Sequence, residues 1–154
     1  MYLRVYIGNG VENAFSFSRK VFTLSFHKFE SGFYPGTGSL SDIGIGKGEY
    51  YTINVPLKEG TSDKIYCYMF DRYCMIVFFL TFAIFYNPRL IRFFRITLEI
   101  FNAYQPEAVV VQCGADGLTG DKLGGFNLTL RSYGFSLRKI LKWKKPTLVL
   151  GGGI

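Results

Sequence analysis

A carboxylate in the last third of the chain is the clearest candidate for chemistry. Asp116 lies in a loop rich in Gly and Asp, residues 114–122, directly after the apolar, β-branched run at residues 108–111. Such a run is typical of a buried strand in a parallel sheet. In open α/β sheets, ligands bind beyond the carboxyl ends of the strands. Asp116 is therefore either a turn-forming residue or a ligand to a bound group, and the local sequence leaves both interpretations open.

The alternation of strand-like and helix-like segments predicts an α/β fold with a parallel sheet. We expect strands at residues 1–7, 21–27, 50–55 (ended by Pro56), from 108 and, again buried, at 147–150, and helices at residues 11–15, from 63, at 96–104 and at 131–143. Thr61 or Ser62 is expected to cap the helix that begins near Asp63. The long Gly-rich loop at residues 31–48 is of a length that usually indicates function.

Composition and charge set broad limits on function. The chain has 154 residues, enough for one ordinary core, and a formal net charge of +7. The basic residues are densest at residues 89–95 and 138–145, and the second group falls at a predicted helix end, where cations suit the helix dipole. This placement predicts a solvated face rather than a nucleic-acid site.

The cysteines indicate a reducing compartment. Cys67, Cys74 and Cys113 show no CxxC spacing, so neither a disulfide framework nor a zinc ribbon is indicated. The first residues do not have the pattern of a signal peptide.

The composition changes abruptly at residues 73–86, which are almost wholly apolar with no period of 2 or 3.6. A membrane helix needs about 20 apolar residues. This run is shorter, and Pro88 interrupts its continuation. A single membrane span at this point remains an open alternative.

Several segments, in conserved order, resemble class I zinc-dependent histone deacetylases. They are GNGVENAF (8–15), HKF (27–29), FYPGTG (33–38), DIGIGKGEYYTINVPL (42–57), QPEAVVVQCGAD (105–116), GDKL (120–123), FNLT (126–129) and LVLGGG (148–153). Within the class, AFSF (14–17) and GAD (114–116) look most like the histone deacetylase eight subtype. The resemblance implies an arginase-like, parallel-sheet deacetylase domain of which residues 1–154 form an incomplete part.

The resemblance also implies a reaction, the hydrolysis of acetyl-lysine amides. In the family, a zinc ion held by two aspartates and one histidine polarises the acetyl carbonyl and activates a water. A histidine pair transfers protons and a tyrosine stabilises the oxyanion. Asp116 matches the second zinc aspartate, which favours the ligand interpretation over the turn.

Further residues carry over from the resemblance. Tyr34 matches an aromatic wall of the substrate tunnel, and Leu123 an apolar residue at its rim. Two sites for potassium or sodium, formed mainly by backbone carbonyls, match Phe15, Ser18, Val21 and Tyr51 at one site and Ser25 and Phe26 at the other. His27 matches a position that does not bind zinc, so we expect a structural role.

The chain departs from the family where the remaining zinc ligands belong. The positions aligned with the first aspartate and the histidine are Arg4 and Tyr6. Arginine does not bind zinc, and tyrosine is a poor substitute. The histidine pair and the catalytic tyrosine have no counterpart in the sequence as written. By family the chain would be an enzyme, but we expect it to lack deacetylase activity by itself.

Residues 73–95 are interpreted as an insert, because they have no counterpart in the family that the chain resembles. Without them Arg72 joins Ile96, and the spacing fits the family without a gap. Arg72-Tyr73 can be encoded with a donor-like AG|GTA, and residues 93–95 with a pyrimidine tract that ends in an acceptor-like AG. Our hypothesis is a translated intron. Its removal also takes away Arg89, Arg92 and Arg95, which weakens the argument for nucleic acid further.

The resemblance implies acetylated histone tails or other acetyl-lysine proteins as substrates, a corepressor complex as a partner, and the nucleus as the main location, with the cytoplasm second. Direct nucleic-acid binding is not expected, nor is membrane binding unless residues 73–95 are part of the protein. Alternatives are an acetylpolyamine amidohydrolase and a non-catalytic deacetylase-like interaction protein. Nucleotide binding is weakly supported, since the glycines at 36–48 never form GxxxxGK[ST].

Overall fold

The computed structural model describes residues 2–3, 8–75, 104–122 and 124–152. The strands in this part of the chain are β1 (Tyr2–Leu3), β2 (Thr23–Lys28), β3 (Thr52–Leu57), β4 (Val109–Cys113) and β5 (Thr147–Leu150). The α-helices are α1 (Asn9–Phe15), α2 (Asp63–Met75) and α3 (Leu130–Leu141), with short 3-10 turns at Gly46–Gly48 and Ala115–Gly117.

The strands form one parallel sheet in the order β3-β2-β1-β4-β5. The chain builds outward from β1 to β3 and then returns to place β4 on the other side of β1. The direction of winding therefore reverses between β1 and β4, where Leu3 lies in register with Cys113. At such a switch point, the loops beyond the strands diverge and leave a crevice for a ligand. The predicted α/β class with a parallel sheet is confirmed.

One face of the sheet is apolar and packs against α2 and α3. Phe26 of β2 lies with its ring centroid 5.8 Å from that of Tyr66 and 5.4 Å from that of Phe70, both on α2. Val111 of β4 and Ile140 of α3 are likewise almost completely buried. Each such side chain contributes about 1.5–3 kcal/mol by leaving water, so this layer is the main source of stability.

The opposite face of β2 and β3 is polar and also buried. The Thr23 hydroxyl donates to the Thr52 hydroxyl at 3.0 Å, and the Ser25 hydroxyl and His27 Nδ1 are 2.9 Å apart. His27 Nε2 lies 2.8 Å from the carbonyl oxygen of Gly38, in the Gly-rich loop. Buried polar groups are costly unless they are paired. The loop is thus held over the sheet by hydrogen bonds rather than by apolar packing.

Helices α2 and α3 begin side by side. Asp63, in the first turn of α2, accepts hydrogen bonds from the amide and the hydroxyl of Thr129, at 2.7 and 2.5 Å. The Thr129 hydroxyl oxygen in turn accepts from the amide of Arg131 and so caps α3. These contacts join residues that are far apart in sequence and fix the relative position of the two helix starts.

Most of the predicted elements are confirmed with shifted ends. Helix α2 begins at Asp63 and strand β5 spans Thr147–Leu150, both as predicted. The prediction that Pro56 ends its strand is wrong, because β3 continues to Leu57. Strand β3 is at an edge of the described sheet, and proline is tolerated on an edge strand because its missing N–H is not needed on the open side.

The predicted burial of the last strand is wrong. Leu148, Val149 and Leu150 are 56, 48 and 41% exposed, and Val110 of the neighbouring β4 is 45% exposed. Strand β5 lies at the other edge of the described sheet, and its successive side chains are exposed on both faces. An exposed apolar edge of this kind is a site for association with other chains.

Two predicted segments fall largely outside the described residues. They are the helix at 96–104, of which only Tyr104 is described, and the insert at 73–95, apart from the end of α2. Within the part of the chain that is described, no helix is long and apolar enough to cross a membrane.

The buried imidazole makes stability sensitive to mild acid. Burial lowers the pKa of His27 below its usual value, although the bond to Gly38 opposes this effect. Protonation therefore favours the unfolded chain, and we expect stability to fall as the pH drops below about 6.5. In His27→Gln the amide can still reach Gly38, but the group no longer titrates. Urea midpoints at pH 7.5 and pH 5.5 should differ more for the parent chain than for the variant. An equal difference in both proteins would contradict the prediction.

Candidate functional site

Asp116 lies directly beyond the carboxyl end of β4, in the 3-10 turn Ala115–Gly117. Its surface is only 2% exposed. The turn is tied to the glycines after β5, because the amide of Ala115 donates to the carbonyl of Gly152 at 2.6 Å. The carboxylate is therefore held at the switch point of the sheet, on the side of β4 where the winding reverses.

The loop around Asp116 is packed backbone against backbone. A Cβ atom on Gly124 would lie 1.9 Å from the carbonyl oxygen of Asp116, and one on Gly117 would lie 2.6 Å from the Tyr133 hydroxyl. The amide of Gly124 also donates to Asp121 Oδ1 at 2.7 Å. These contacts leave the loop little freedom, as a ligand position requires.

Tyr133 of α3 contacts the chain directly before the Ala115–Gly117 turn. Its hydroxyl donates to the carbonyl of Gly114 at 2.6 Å. Burial raises the pKa of this phenol well above its usual value, and the nearby Asp116 carboxylate raises it further. Tyr133 therefore stays protonated and remains a hydrogen-bond donor at neutral pH. Burial also raises the pKa of the Cys113 thiol, so the end of β4 carries no thiolate.

The described residues do not by themselves fit a catalytic zinc ion. No group of three His, Cys, Asp or Glu side chains among them lies close enough together to hold a metal. Catalytic zinc takes three protein ligands and a water, and Asp116 supplies one. Arg4 and Tyr6, at the positions aligned with the other two ligands, follow β1 in sequence but lie outside the described residues.

The first predicted cation site is brought together in space. Phe15 ends α1, and its carbonyl accepts from the amide of Ser18 at 2.8 Å. The carbonyl of Tyr51 accepts from Thr23, two residues after Val21, at 2.9 Å. The segment between Phe15 and Ser18 packs against Gly48, where a Cβ would lie 2.2 Å from the carbonyl oxygen of Ser16. All four predicted residues therefore border one region, and cation binding there stays a prediction.

The second predicted cation site involves adjacent residues of β2. Ser25 is buried on the polar face, beside His27, while the ring of Phe26 enters the apolar core. In register, Phe26 lies next to Leu3 of β1, and β1 adjoins β4. The backbone of Phe26 is thus one strand away from the strand that leads to Asp116. Its role as a carbonyl ligand stays a prediction.

Of the two predicted substrate residues, the structure describes Tyr34 but not Leu123. Tyr34 lies in the Gly-rich loop and is 73% exposed. It follows Phe33, whose ring centroid is 4.4 Å from Lys28 Nζ, so the base of this loop is anchored while Tyr34 itself faces solvent. Leu123 lies outside the described residues. Both roles stay predictions.

Sequence reasoning missed the residues that hold the site in place. In the sequence analysis Tyr133 falls within the helix predicted at residues 131–143 and Lys28 within the HKF segment, and neither has a role of its own. Lys28 is 8% exposed and its ammonium lies 2.6 Å from Glu59 Oε2, which joins the end of β2 to the loop after β3. The signal available in the sequence was the position of Lys28, directly after the strand predicted at residues 21–27. A buried lysine requires an anionic partner.

Comparison with known proteins establishes the family. The histone deacetylase domain matches residues 4–153. The chain is 46% identical over 146 residues to histone deacetylase 8 of Xenopus laevis, covering 95% of this chain and 38% of that protein. It is 43% identical to histone deacetylase 8 of Danio rerio, with 95% of this chain and 32% of the relative covered. Against histone deacetylase HDAC1 of Drosophila melanogaster the identity is 42%, over 97% of this chain and 24% of the relative.

The chain belongs to the histone deacetylase family. It spans between about a quarter and two fifths of the length of these curated relatives.

The packing at Gly124 gives a direct test of how the Asp116 loop is held. In Gly124→Ala the new methyl group would overlap the Asp116 carbonyl, so the loop must move, and we expect a loss of about 1–3 kcal/mol in unfolding free energy. Gly151→Ala is the matched control, because no atom lies within 4 Å of the added Cβ. Its effect should stay within about 0.5 kcal/mol. Equal urea midpoints for the two variants would contradict this packing.

Proposed function

We propose that this chain forms part of the catalytic domain of a zinc-dependent histone deacetylase, in which Asp116 is one of the zinc ligands. The observation that carries the proposal is the burial of the Asp116 carboxylate just beyond β4, at the switch point of a parallel sheet. Parallel sheets place their ligand sites at this location. Membership of the histone deacetylase family supports the same role for the residue.

The turn interpretation of Asp116 explains less. A turn-forming aspartate is ordinarily found at the surface, where water solvates its charge. Burying a carboxylate is costly unless it is paired or binds a metal. Asp116 also raises the pKa of Tyr133, which places negative charge close to that hydroxyl. A cation bound at Asp116 would offset both effects.

Zinc supplies a Lewis acid that polarises the acetyl carbonyl and activates a water. This chain contributes the Asp116 carboxylate and its rigid support from Gly124 and Tyr133. Because no group of three metal-ligating side chains is found among the described residues, we assign no step of the reaction to the chain alone. We propose that the polypeptide as written, with Arg4 and Tyr6 at the aligned ligand positions, does not turn over acetyl-lysine.

The wider assignments follow from the family. We propose an arginase-like domain, acetylated histone tails or other acetyl-lysine proteins as substrates, and a corepressor complex in the nucleus as the setting. Potassium or sodium would bind the carbonyls of Phe15, Ser18, Val21 and Tyr51, and a second ion those of Ser25 and Phe26. Tyr34 and Leu123 would border the substrate. Residues 73–95 are proposed to be an insert that does not belong to this domain.

A chimera tests the role of Asp116 where the other ligands are supplied. Residues 8–72, joined directly to residues 96–152, would replace the aligned segment of Xenopus laevis histone deacetylase 8, with the host residues kept at the positions of Arg4 and Tyr6. We expect the chimera to hydrolyse an acetyl-lysine peptide. In this chimera, Asp116→Asn should lower the zinc content and should reduce kcat/KM by more than about 100-fold. The unmodified 154-residue chain, assayed in parallel, should show no turnover.

Asp121→Asn is the matched control for that chimera. It removes a carboxylate from the same loop, while its amide oxygen can still accept from Gly124. Zinc content should be unchanged. Full zinc binding and activity in the Asp116→Asn chimera would refute the ligand role, and so would equal losses in both variants.

The insert hypothesis is tested on the messenger RNA. Reverse transcription and amplification across the codons for residues 72–96 should give a main product in which the codon for Arg72 is joined directly to that for Ile96. If every transcript carries the codons for residues 73–95, the insert is part of the protein and the hypothesis is wrong. This result would leave the proposal for Asp116 unaffected.

A further inference from the structure

A single ammonium group lies where the chain leaves three strands of the sheet. Lys28 is the last residue of β2 and is only 8% exposed. Its Nζ atom lies 2.6 Å from Oε2 of Glu59, in the turn after β3 (residues 58–61), and 4.4 Å from the ring centroid of Phe33, in the Gly-rich loop. A Cβ atom on Gly125, in the chain after β4, would lie 3.1 Å from the same Nζ atom. The segments that follow β2, β3 and β4 therefore meet at one cation.

The turn after β3 is bound to the 124–128 segment by backbone hydrogen bonds. The amide of Gly60 donates to the carbonyl oxygen of Gly125 at 2.7 Å. The amide of Asn127 donates to the carbonyl oxygen of Thr61 at 2.9 Å. Backbone groups inside a protein are costly to leave unpaired, so these bonds are kept when either partner shifts. A displacement of the turn therefore moves the 124–128 segment with it.

The 124–128 segment also contacts the loop that carries Asp116. A Cβ atom on Gly124 would lie 1.9 Å from the carbonyl oxygen of Asp116. The carbonyl oxygen of Leu128 accepts from the amide of Thr119 at 2.8 Å. A line of direct contacts thus connects Lys28 with Asp116, and every contact in it joins two residues that the structure describes.

The cluster around Lys28 restricts position more than it adds stability. The Glu59 side chain is 64% exposed, so water still solvates its carboxylate, and such ion pairs contribute little to the free energy of folding. The ammonium is nevertheless fixed, because it lies near the ring of Phe33 and 4.0 Å from Glu30 Oε2. Glu30 also holds the turn directly, since its Oε1 accepts from the amide of Glu59 at 2.8 Å. These contacts together determine where the turn after β3 lies.

We propose that Lys28 is a positioning residue for the zinc site, acting on Asp116 through the turn after β3 and the 124–128 segment. This inference rests on the proposed role of Asp116 as a zinc ligand. Lys28 is assigned no contact with the metal or the substrate. Groups that orient a metal ligand change metal affinity or activity by about 10- to 100-fold when they are removed.

Hydrogen exchange in the full 154-residue chain tests the structural part of the proposal without zinc. Lys28→Met keeps an unbranched side chain beside Phe33 but removes the charge. The amides of Gly60 and Asn127 should then exchange at least about ten-fold faster, whereas that of Val111, in the buried core, should change by less than about two-fold. Unchanged exchange at Gly60 and Asn127 would overturn the proposal, and so would equal acceleration at Val111.

Lys139→Met is the matched control for this measurement. The Lys139 ammonium also has an acidic partner, Asp71 Oδ1 at 2.5 Å, and lies 5.2 Å from the ring centroid of Phe135. This ion pair joins α3 to α2 rather than the loops beyond the strands. The exchange of Gly60 and Asn127 should stay within about two-fold of that in the parent chain. Equal acceleration by both variants would reveal a general effect of losing a lysine ion pair and would contradict the proposal.

Zinc affinity tests the functional part, in the chimera that carries the other ligands of the host. In competition with a chelator, Lys28→Met should weaken zinc binding by at least about ten-fold, and Lys139→Met by less than about two-fold. Asp116→Asn separates the two proposals. If it loses zinc while Lys28→Met keeps full affinity, the positioning role is wrong and the ligand role stands. If Asp116→Asn keeps zinc, the ligand role is wrong and the positioning role fails with it.

Glu59→Gln keeps the proposal testable if Lys28→Met does not fold. The substitution preserves the shape of a largely exposed side chain and removes its charge. It should accelerate exchange at Gly60 and weaken zinc binding in the same direction as Lys28→Met. Where both variants fold, the double variant should lose no more zinc affinity than Lys28→Met alone, because the two residues act through one contact. Additive losses would show that they act separately and would overturn the proposed line of contacts.

Discussion

The structure depends on the burial of strand β2 on both faces. All six of its residues are buried, yet only the residues on one face are predominantly apolar. Leu24 and Phe26 are covered by helices, whereas Thr23, Ser25 and His27 need hydrogen-bond partners. An unpaired buried polar group costs about 1–3 kcal/mol, so the chain on the polar side is required to pair these atoms. The Gly-rich loop does this where Gly38 meets His27. Asp42 then holds the loop, because its Oδ2 accepts from the amides of Gly38 and Ser39.

The same constraint fixes the direction of the sheet and so the location of the site. Because every pairing of β2 and its neighbours is parallel, the carboxyl ends of the strands lie on one side. The carboxyl ends of β1 and β4 are adjacent there, with Leu3 in register with Cys113. The buried carboxylate of Asp116 and its support from Tyr133 are consequences of this arrangement.

Much of the fold was accessible from the sequence because its signals are local. The β-branched run before Asp116, the cap candidates Thr61 and Ser62, and the apolar run at residues 147–150 correctly indicated β4, the start of α2 and β5. The burial of each strand was harder to predict from the sequence, since it depends on which layer covers the strand. Leu148 and Val149 have the composition of core residues but lie at an edge. The continuation of β3 through Pro56 likewise depends on that strand being at the edge, which no local pattern reveals.

The candidate site could be predicted from the sequence only in part, for a different reason. Asp116 stood out because ligands bind beyond the carboxyl ends of parallel strands, and the resemblance to a family gave it a role. The contacts of Gly124 with Asp116 and of Tyr133 with Gly114 are set by tertiary packing. Spacing along the chain carries no information about such contacts. Lys28 and Glu59 form their ion pair across 31 positions for the same reason.

The pairing of Asp63 with Thr129 has a consequence for the chain that connects them. The two residues are separated by 66 positions, and their contact closes that whole segment into a loop. For a flexible loop, the closure entropy grows only with the logarithm of length, so each doubling costs about 0.6 kcal/mol. Lengthening the connection between α2 and β4 is therefore a small thermodynamic burden on the sheet and its two helices. In polymer terms, additional residues in this connection cost little, and natural selection against them would be correspondingly weak.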